Sequence, residues 1–154
     1  MFTYETAIDS DSGKEYVKVP IKGLAVAENP VYNKGTAFSK RERDEFDLRG
    51  IYPDSVSSLE LQKKKTYESF SQKPNPIEKY IYMLSLQDRN ETLHYALILD
   101  HLTEMLPIVY TPTVGQACQQ FSHLFRRPRG LYISANNIDK IDKILSNTVF
   151  ENVR

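Results

Sequence analysis

Cysteine occurs once, at Cys118, so no internal disulfide can form, and the chain reads as built for a reducing compartment. An excess of charge of one sign is missing too. Twenty basic side chains balance 20 acidic ones, which removes the electrostatic reason to expect nucleic acid or an anionic membrane as partner. No apolar run approaches the roughly 20 residues that cross a bilayer. A secretory signal wants a basic start and an apolar run, and an organellar transit peptide wants arginine and few acids. The start of this chain instead carries Glu5, Asp9, Asp11 and Glu15 and no arginine before Arg41. A cytoplasmic protein is expected. The pattern G-x-G-x-x-G is also absent, so nothing in these 154 residues would hold a dinucleotide pyrophosphate.

What is present is ordinary globular composition, 40% apolar and 26% charged, on a chain long enough for one domain with a real core. Residues 1–28 are polar and mixed and read as a leader, partly disordered or loosely paired. Ser39 and Glu42 stand at capping-box spacing and predict a helix over 40–48, stopped by Gly50 with Pro53 close behind. Ser57 with Glu60 makes a second box for a helix through about 70. Asn75 as cap and Pro76 at the first helical position open the next helix, with Ile77, Tyr80, Ile81 and Leu84 on one face. Asn90 and Glu91 restart the helix after a kink; Leu93, Leu97 and Ile98 give its apolar face, and it ends before Pro107. After a stiff turn over 108–113, Thr113 caps a helix through about 125. A basic loop follows, then a strand over 131–134 and a helix over 138–145.

The expected fold is therefore mainly α: a helical unit over 29–128, then the first strand and helix of an α/β unit over 129–154. One strand and one helix cannot bury both of their apolar faces, so the pattern predicts that the chain stops inside a larger domain.

Several residue groups invite a chemical reading beside a bland one. Asp88, Arg89, Asn90 and Glu91 read first as a solvated kink. Arg126, Arg127 and Arg129 could bind phosphate or carboxylate, but without a Gly-rich loop they read as structural or interfacial. Lys63, Lys64 and Lys65, with Glu60 and Glu68 at pairing distance, read as a solvated helix face. His94, His101 and His123 lack the partners that complete a metal set. Cys118, mid-helix with no His or Asp at a recognisable spacing, reads as a buried thiol. Tyr110 precedes Thr-Pro-Thr, where Pro112 restrains the backbone and a helix N-terminus follows. A phenol with a reference pKa of about 10 is protonated at neutral pH and can serve as a general acid. A core or interface tyrosine is the bland alternative, and the chain has ten tyrosines.

Four blocks carry a family resemblance: NPVYNKGTAFSKRERDEFDLRGIYP (29–53), PIEKYIYMLSLQDRNETLHY (76–95), LPIVYTPTVG (106–115) and FSHLFRRPRGLYIS (121–134). In this order and spacing they resemble the N-terminal region of malic enzymes. The resemblance implies an oxidoreductase that converts L-malate to pyruvate and carbon dioxide with NAD or NADP and Mg2+ or Mn2+. It also implies a homodimer or homotetramer assembled through the helical domain. Tyr110 matches the family's general acid, which protonates the enolpyruvate carbon. The lysine base, the substrate arginine, the metal carboxylates and the nucleotide loop would lie beyond Arg154, so the chain alone is expected to be inactive, with no cofactor or metal bound. Gln62 and Arg89 stand at two of three positions where some animal members bind fumarate between subunits. The third is Lys65, a point charge in place of a planar fork. The rival reading is a stand-alone helical dimerisation or effector-binding module without catalysis.

Overall fold

The computed structural model describes residues 5–10, 12–128 and 130–147. The leader is more regular than its composition suggests. Strands β1 (Glu5–Ile8) and β2 (Glu15–Lys18) pair antiparallel, with Glu5 opposite Lys18 and Ile8 opposite Glu15. The Lys18 ammonium meets the Glu5 carboxylate at 2.7 Å and closes the open end. Helix α1 (Leu24–Glu28) then contributes Val26 to a small core with Phe38 and Leu48.

Helix α2 (Lys40–Glu45) opens on the expected capping box. Ser39 Oγ accepts from the Glu42 amide at 3.2 Å, and a Glu42 carboxylate oxygen accepts from the Ser39 amide at 2.8 Å. Burial alone would raise the Glu42 carboxyl, but the donors from Lys34 and Ser39 outweigh it and hold it below its ordinary value. The helix stops earlier than residue 48. Asp47 takes a left-handed conformation (φ 57°), the Leu48 amide donates to the Arg43 carbonyl at 2.8 Å, and the Asp47 amide reaches the Asp44 carbonyl. This is a Schellman closure with aspartate where glycine is usual, and it swings Leu48 fully into the small core.

Inside that turn lies Arg43, 2% exposed. Its Nε donates to the Phe38 carbonyl (3.0 Å). Nη1 donates to Pro53 (2.6 Å) and Asp54 (3.1 Å), and Nη2 to Thr36 (3.2 Å) and Ser55 (3.1 Å). All five guanidinium N–H groups thus meet backbone carbonyls. The irregular segment 36–55 is wound around this one charge.

Helix α3 (Leu59–Ser71) is capped by Ser58, whose Oγ accepts from the Leu61 amide at 3.1 Å. Ser57, the expected cap, instead donates its amide to the Thr36 carbonyl at 2.9 Å. Helix α4 (Pro76–Arg89) starts as expected, with Asn75 Oδ1 accepting from the Glu78 amide at 2.9 Å. Asn90 then serves two helices. Its amide donates to the Leu86 carbonyl at 2.8 Å, and its side chain caps α5 (Glu91–Asp100) through the Leu93 amide at 2.9 Å.

The path from 101 to 125 departs from expectation. α5 breaks at His101, and a new helix, α6 (Leu102–Val109), contains Pro107. Proline inside a helix removes the bond to the carbonyl four residues back. Here that residue is Thr103, and both Thr103 and Pro107 are exposed, so water can satisfy the freed carbonyl. α7 (Thr113–Gln119) has Pro112 at its cap position; Thr113 is the first helical residue and its side chain caps nothing. Gln120 interrupts the expected long helix before α8 (Phe121–Leu124). The expected strand over 131–134 finds no pairing partner among the described residues, and a strand needs a neighbour's backbone. The expected helix over 138–145 is a 3-10 stretch (Ala135–Lys140) followed by α9 (Ile141–Ser146).

The larger core joins Phe70, Met83, Leu86, Leu93, Leu97 and Met105 from α3 to α6. The predicted face of α4 is half-buried, whereas Met83 and Leu86 carry the deepest contacts. Among the described residues no helix is long and apolar enough to cross a membrane.

Arg43→Lys keeps the charge but offers at most three donors. It should lower stability by about 2–4 kcal/mol, because the charge stays buried while at least two of the five carbonyls around it lose their donor. Urea unfolding reads this directly, and an unchanged midpoint would refute the role given to Arg43.

Candidate functional site

Tyr110 stands where α6 ends and the chain turns into α7. Its amide donates to the Leu106 carbonyl at 2.9 Å, and its carbonyl accepts from the Val114 amide at 2.8 Å. The Thr111–Pro112 peptide bond is cis, and Thr113 directly after it is buried. The two backbone bonds hold Tyr110 on both sides while the residue is 62% exposed. A helix N-terminus here would ordinarily leave free amide donors beside Tyr110. The structure engages them locally, since Val114 bonds to Tyr110 and Gly115 to the Pro112 carbonyl at 3.1 Å. Leu102 and Leu106 lie exposed on α6 beside Tyr110.

α6 is tied to its neighbours by polar contacts. The Tyr67 hydroxyl donates to the Glu104 carboxylate at 2.8 Å, and Lys79 approaches the same carboxylate at 3.6 Å. The hydrogen bond to Glu104 holds the Tyr67 phenol above its ordinary pKa. The His101 ring stacks on Tyr67 with centroids 3.8 Å apart. One helix turn before Tyr67, Lys63 binds Asp100 at 2.6 Å and Glu60 at 2.9 Å. Only 14% of its side chain is exposed, and the bond to Asp100 raises its pKa. The lysine run is thus not uniformly a solvated face: Lys63 clamps α3 to α5, whereas Lys64 and Lys65 are exposed.

Gln62 and Arg89 fall on two sides of one loop. The Gln62 amide nitrogen donates to the Lys34 carbonyl at 3.1 Å and to Thr36 Oγ1 at 3.0 Å. The carbonyl of Arg89 accepts from the buried Asn33 side chain at 2.7 Å, while the Arg89 side chain is exposed. Asn33 Oδ1 also accepts from the Gly35 amide (2.6 Å) and the Tyr52 hydroxyl (2.8 Å). The Glu91 amide donates to the Pro30 carbonyl at 2.9 Å. The loop over 30–36 therefore fastens the small core to α3 and to the α4–α5 break. Gly35 fits there with φ 57° and with the Gln62 amide 3.3 Å from where a Cβ would stand.

A cleft of about 450 Å³ lies between α4 and the α7–α8 arm, lined by Tyr80, Ile81, Leu84, Phe121 and Phe125 among others. Cys118 is on its wall and is exposed, which corrects the expectation of a buried thiol. The buried face of α7 is that of Thr113 and Ala117, four residues apart, and Cys118 falls outside it. Arg127 donates to the Asp88 carbonyl at 3.3 Å and lies 3.9 Å from its carboxylate, pinning the basic loop to the last turn of α4. Arg129, the third member of that basic group, lies outside the described residues. His94 is buried, with Nδ1 at 3.0 Å from the Met83 carbonyl.

Among the described residues no group of three or more His, Cys, Asp or Glu could hold a metal ion. Sequence reasoning missed Arg43 and Asn33, the two buried polar residues that organise the loops. The only hint was the turn composition of Asn-Pro-Val-Tyr-Asn-Lys-Gly around Asn33.

Residues 87–154, a span that includes Tyr110, match the family model described as malic enzyme, N-terminal domain. Curated relatives agree over nearly the whole chain. An NAD-dependent malic enzyme of Aeromonas hydrophila is 44% identical over 146 residues, 95% of this chain and 26% of that protein. One of Sodalis glossinidius is 46% identical over 141 residues, 92% of this chain and 25% of that protein. One of Aliivibrio fischeri is 43% identical over 144 residues, 94% and 26%. The chain is similar to malic enzymes over these spans. It spans about a quarter of the length of the curated relatives it matches. The mainly helical architecture agrees with a malic enzyme N-terminal domain.

Proposed function

We propose that this chain forms the helical N-terminal portion of an NAD-dependent malic enzyme, in which Tyr110 is the general acid of L-malate decarboxylation. The observation that carries this is the setting of Tyr110: an exposed phenol on a doubly bonded backbone turn, inside the segment that matches the family model. Bound NAD would serve as the two-electron oxidant that takes the C2 alcohol of malate to the ketone, and loss of carbon dioxide from that 2-oxo acid leaves enolpyruvate. Its C3 takes the proton from Tyr110 Oη, the C2 hydroxyl proton leaves, and pyruvate results. A phenol suits this step because it stays protonated near neutral pH. The NAD-dependent relatives favour NAD over NADP as the oxidant. Neither the nucleotide nor a Mg2+ or Mn2+ ion is given a place on these residues. The single exposed thiol fits a reducing, cytoplasmic setting.

Self-association is the partner expected for the helical part. Leu59 and Leu61 on α3 and Leu99 and Leu102 around the α5–α6 break are exposed, Leu99 to 73%. A small dicarboxylate such as fumarate is the effector to test at Gln62, Lys65 and Arg89. Lys65 and Arg89 would supply the positive charge, and Gln62 would hold the 34–36 backbone beside it.

In the whole protein, Tyr110→Phe should reduce kcat for pyruvate formation by roughly 10²–10⁴-fold with little change in KM for malate; undiminished turnover would remove Tyr110 from the chemistry. The 154-residue chain alone should sediment above monomer mass at high concentration, and a strictly monomeric mass would count against an interface over 57–105. Thermal shift should rise with fumarate more than with succinate. No response to either sinks the effector reading.

A further inference from the structure

Helix α6 delivers Tyr110, and its rotation is set by apolar packing of Met105, Ile108 and Val109 together with a few directional contacts. It is eight residues long, contains Pro107 and buries one residue, Met105. An unbranched thioether fills space without specifying an angle. Leu102 and Leu106 face outward. The directional contacts are the Tyr67 hydroxyl donating to Glu104 at 2.8 Å and Lys79 at 3.6 Å from the same carboxylate. Tyr67 stands on α3, a 13-residue helix anchored by buried Thr66 and Phe70. Six residues of helix place Glu104 about 9 Å along the axis from Tyr110. A small turn of α6 about that axis would sweep the phenol tip away from the carbon it protonates.

We infer that Tyr67 and Glu104 are positioning residues for Tyr110, helping to set the rotation of α6 through the hydrogen bond between them. The inference rests on the assignment of Tyr110 as general acid. It predicts a specific kinetic loss, because misplacing a reacting group by about 1 Å can cost on the order of 100-fold. Proton transfer at C3 should suffer while malate binding and hydride transfer do not.

The test uses the whole protein and three variants: Tyr67→Phe, Glu104→Ala and Glu104→Gln. Glu104→Gln keeps an oxygen that can accept from Tyr67. Two rates are compared. One is the wash-in of solvent deuterium into the methyl group of pyruvate, followed by proton NMR, which uses Tyr110 but no hydride. The other is the reduction of a 2-oxo acid by NADH, which uses hydride transfer but not this proton. Tyr67→Phe and Glu104→Ala should slow wash-in and pyruvate formation about 10-fold or more, with KM for malate and the NADH reduction within about twofold of the parent. Glu104→Gln should recover most of the wash-in rate. Wash-in within twofold of the parent in both Tyr67→Phe and Glu104→Ala overturns the inference. So does an equal loss in both reactions, which marks a general loosening of the fold. Tyr110→Phe is run alongside: if it abolishes wash-in while the other variants do not, only the positioning role fails. If wash-in survives Tyr110→Phe, the assignment of Tyr110 falls and this inference with it.

Discussion

The guanidinium of Arg43 is the constraint on which the rest of the chain depends. A buried cation is costly to desolvate, and its retention here rests on complete satisfaction: five N–H groups, five backbone carbonyls. Those carbonyls come from Thr36, Phe38, Pro53, Asp54 and Ser55, in segments with almost no regular hydrogen bonding of their own. One side chain thus replaces the ladder that a sheet would have supplied. With 36–55 fixed, Thr36 accepts from Ser57 and Gln62, and Asn33 reaches the end of α4. The small core is joined to the larger one by side chains meeting backbone rather than by apolar packing alone.

From that junction onward the architecture is a run of short helices re-aimed at defined breaks. Asn90, His101, Pro112 and Gln120 each end one helix and begin another or stand at the turn between. The breaks matter because a continuous helix would carry Tyr110 along a fixed heading. Two interruptions between α4 and Tyr110 let the chain fold back on α4, with which α5, α6 and α7 all pack. The phenol ends at the surface although the helices on either side are anchored in the core.

The parts of this arrangement that were legible in the sequence are those fixed by local chemistry. The Ser39–Glu42 box, the Asn75–Pro76 start and the Asn90 restart depend on side chains bonding backbone within three residues, and all three stand as read. The cap at Ser58 instead of Ser57 was decided by a distant carbonyl, that of Thr36, which no local pattern encodes. Pro107 was read as the end of a helix, whereas α6 runs through it with the freed Thr103 carbonyl on an exposed residue. Arg43 was invisible because an arginine among Lys40, Arg41, Glu42 and Asp44 looks like any solvated helix face. For the candidate site, the stiff turn at Tyr110 was legible, whereas its exposure was not. Its support by Glu104 and Tyr67 joins residues 37 apart and could emerge only from the fold.

The double duty of Asn90 has a consequence for how this molecule comes apart. Its amide closes the last turn of α4 and its side chain opens the first turn of α5, so neither terminus can fray without exposing groups that belong to the other. Helix ends are ordinarily where amide protons exchange first. Here an interior break behaves as a weld, and α4 and α5 open as one cooperative unit, with the outlying hairpin free to exchange long before them.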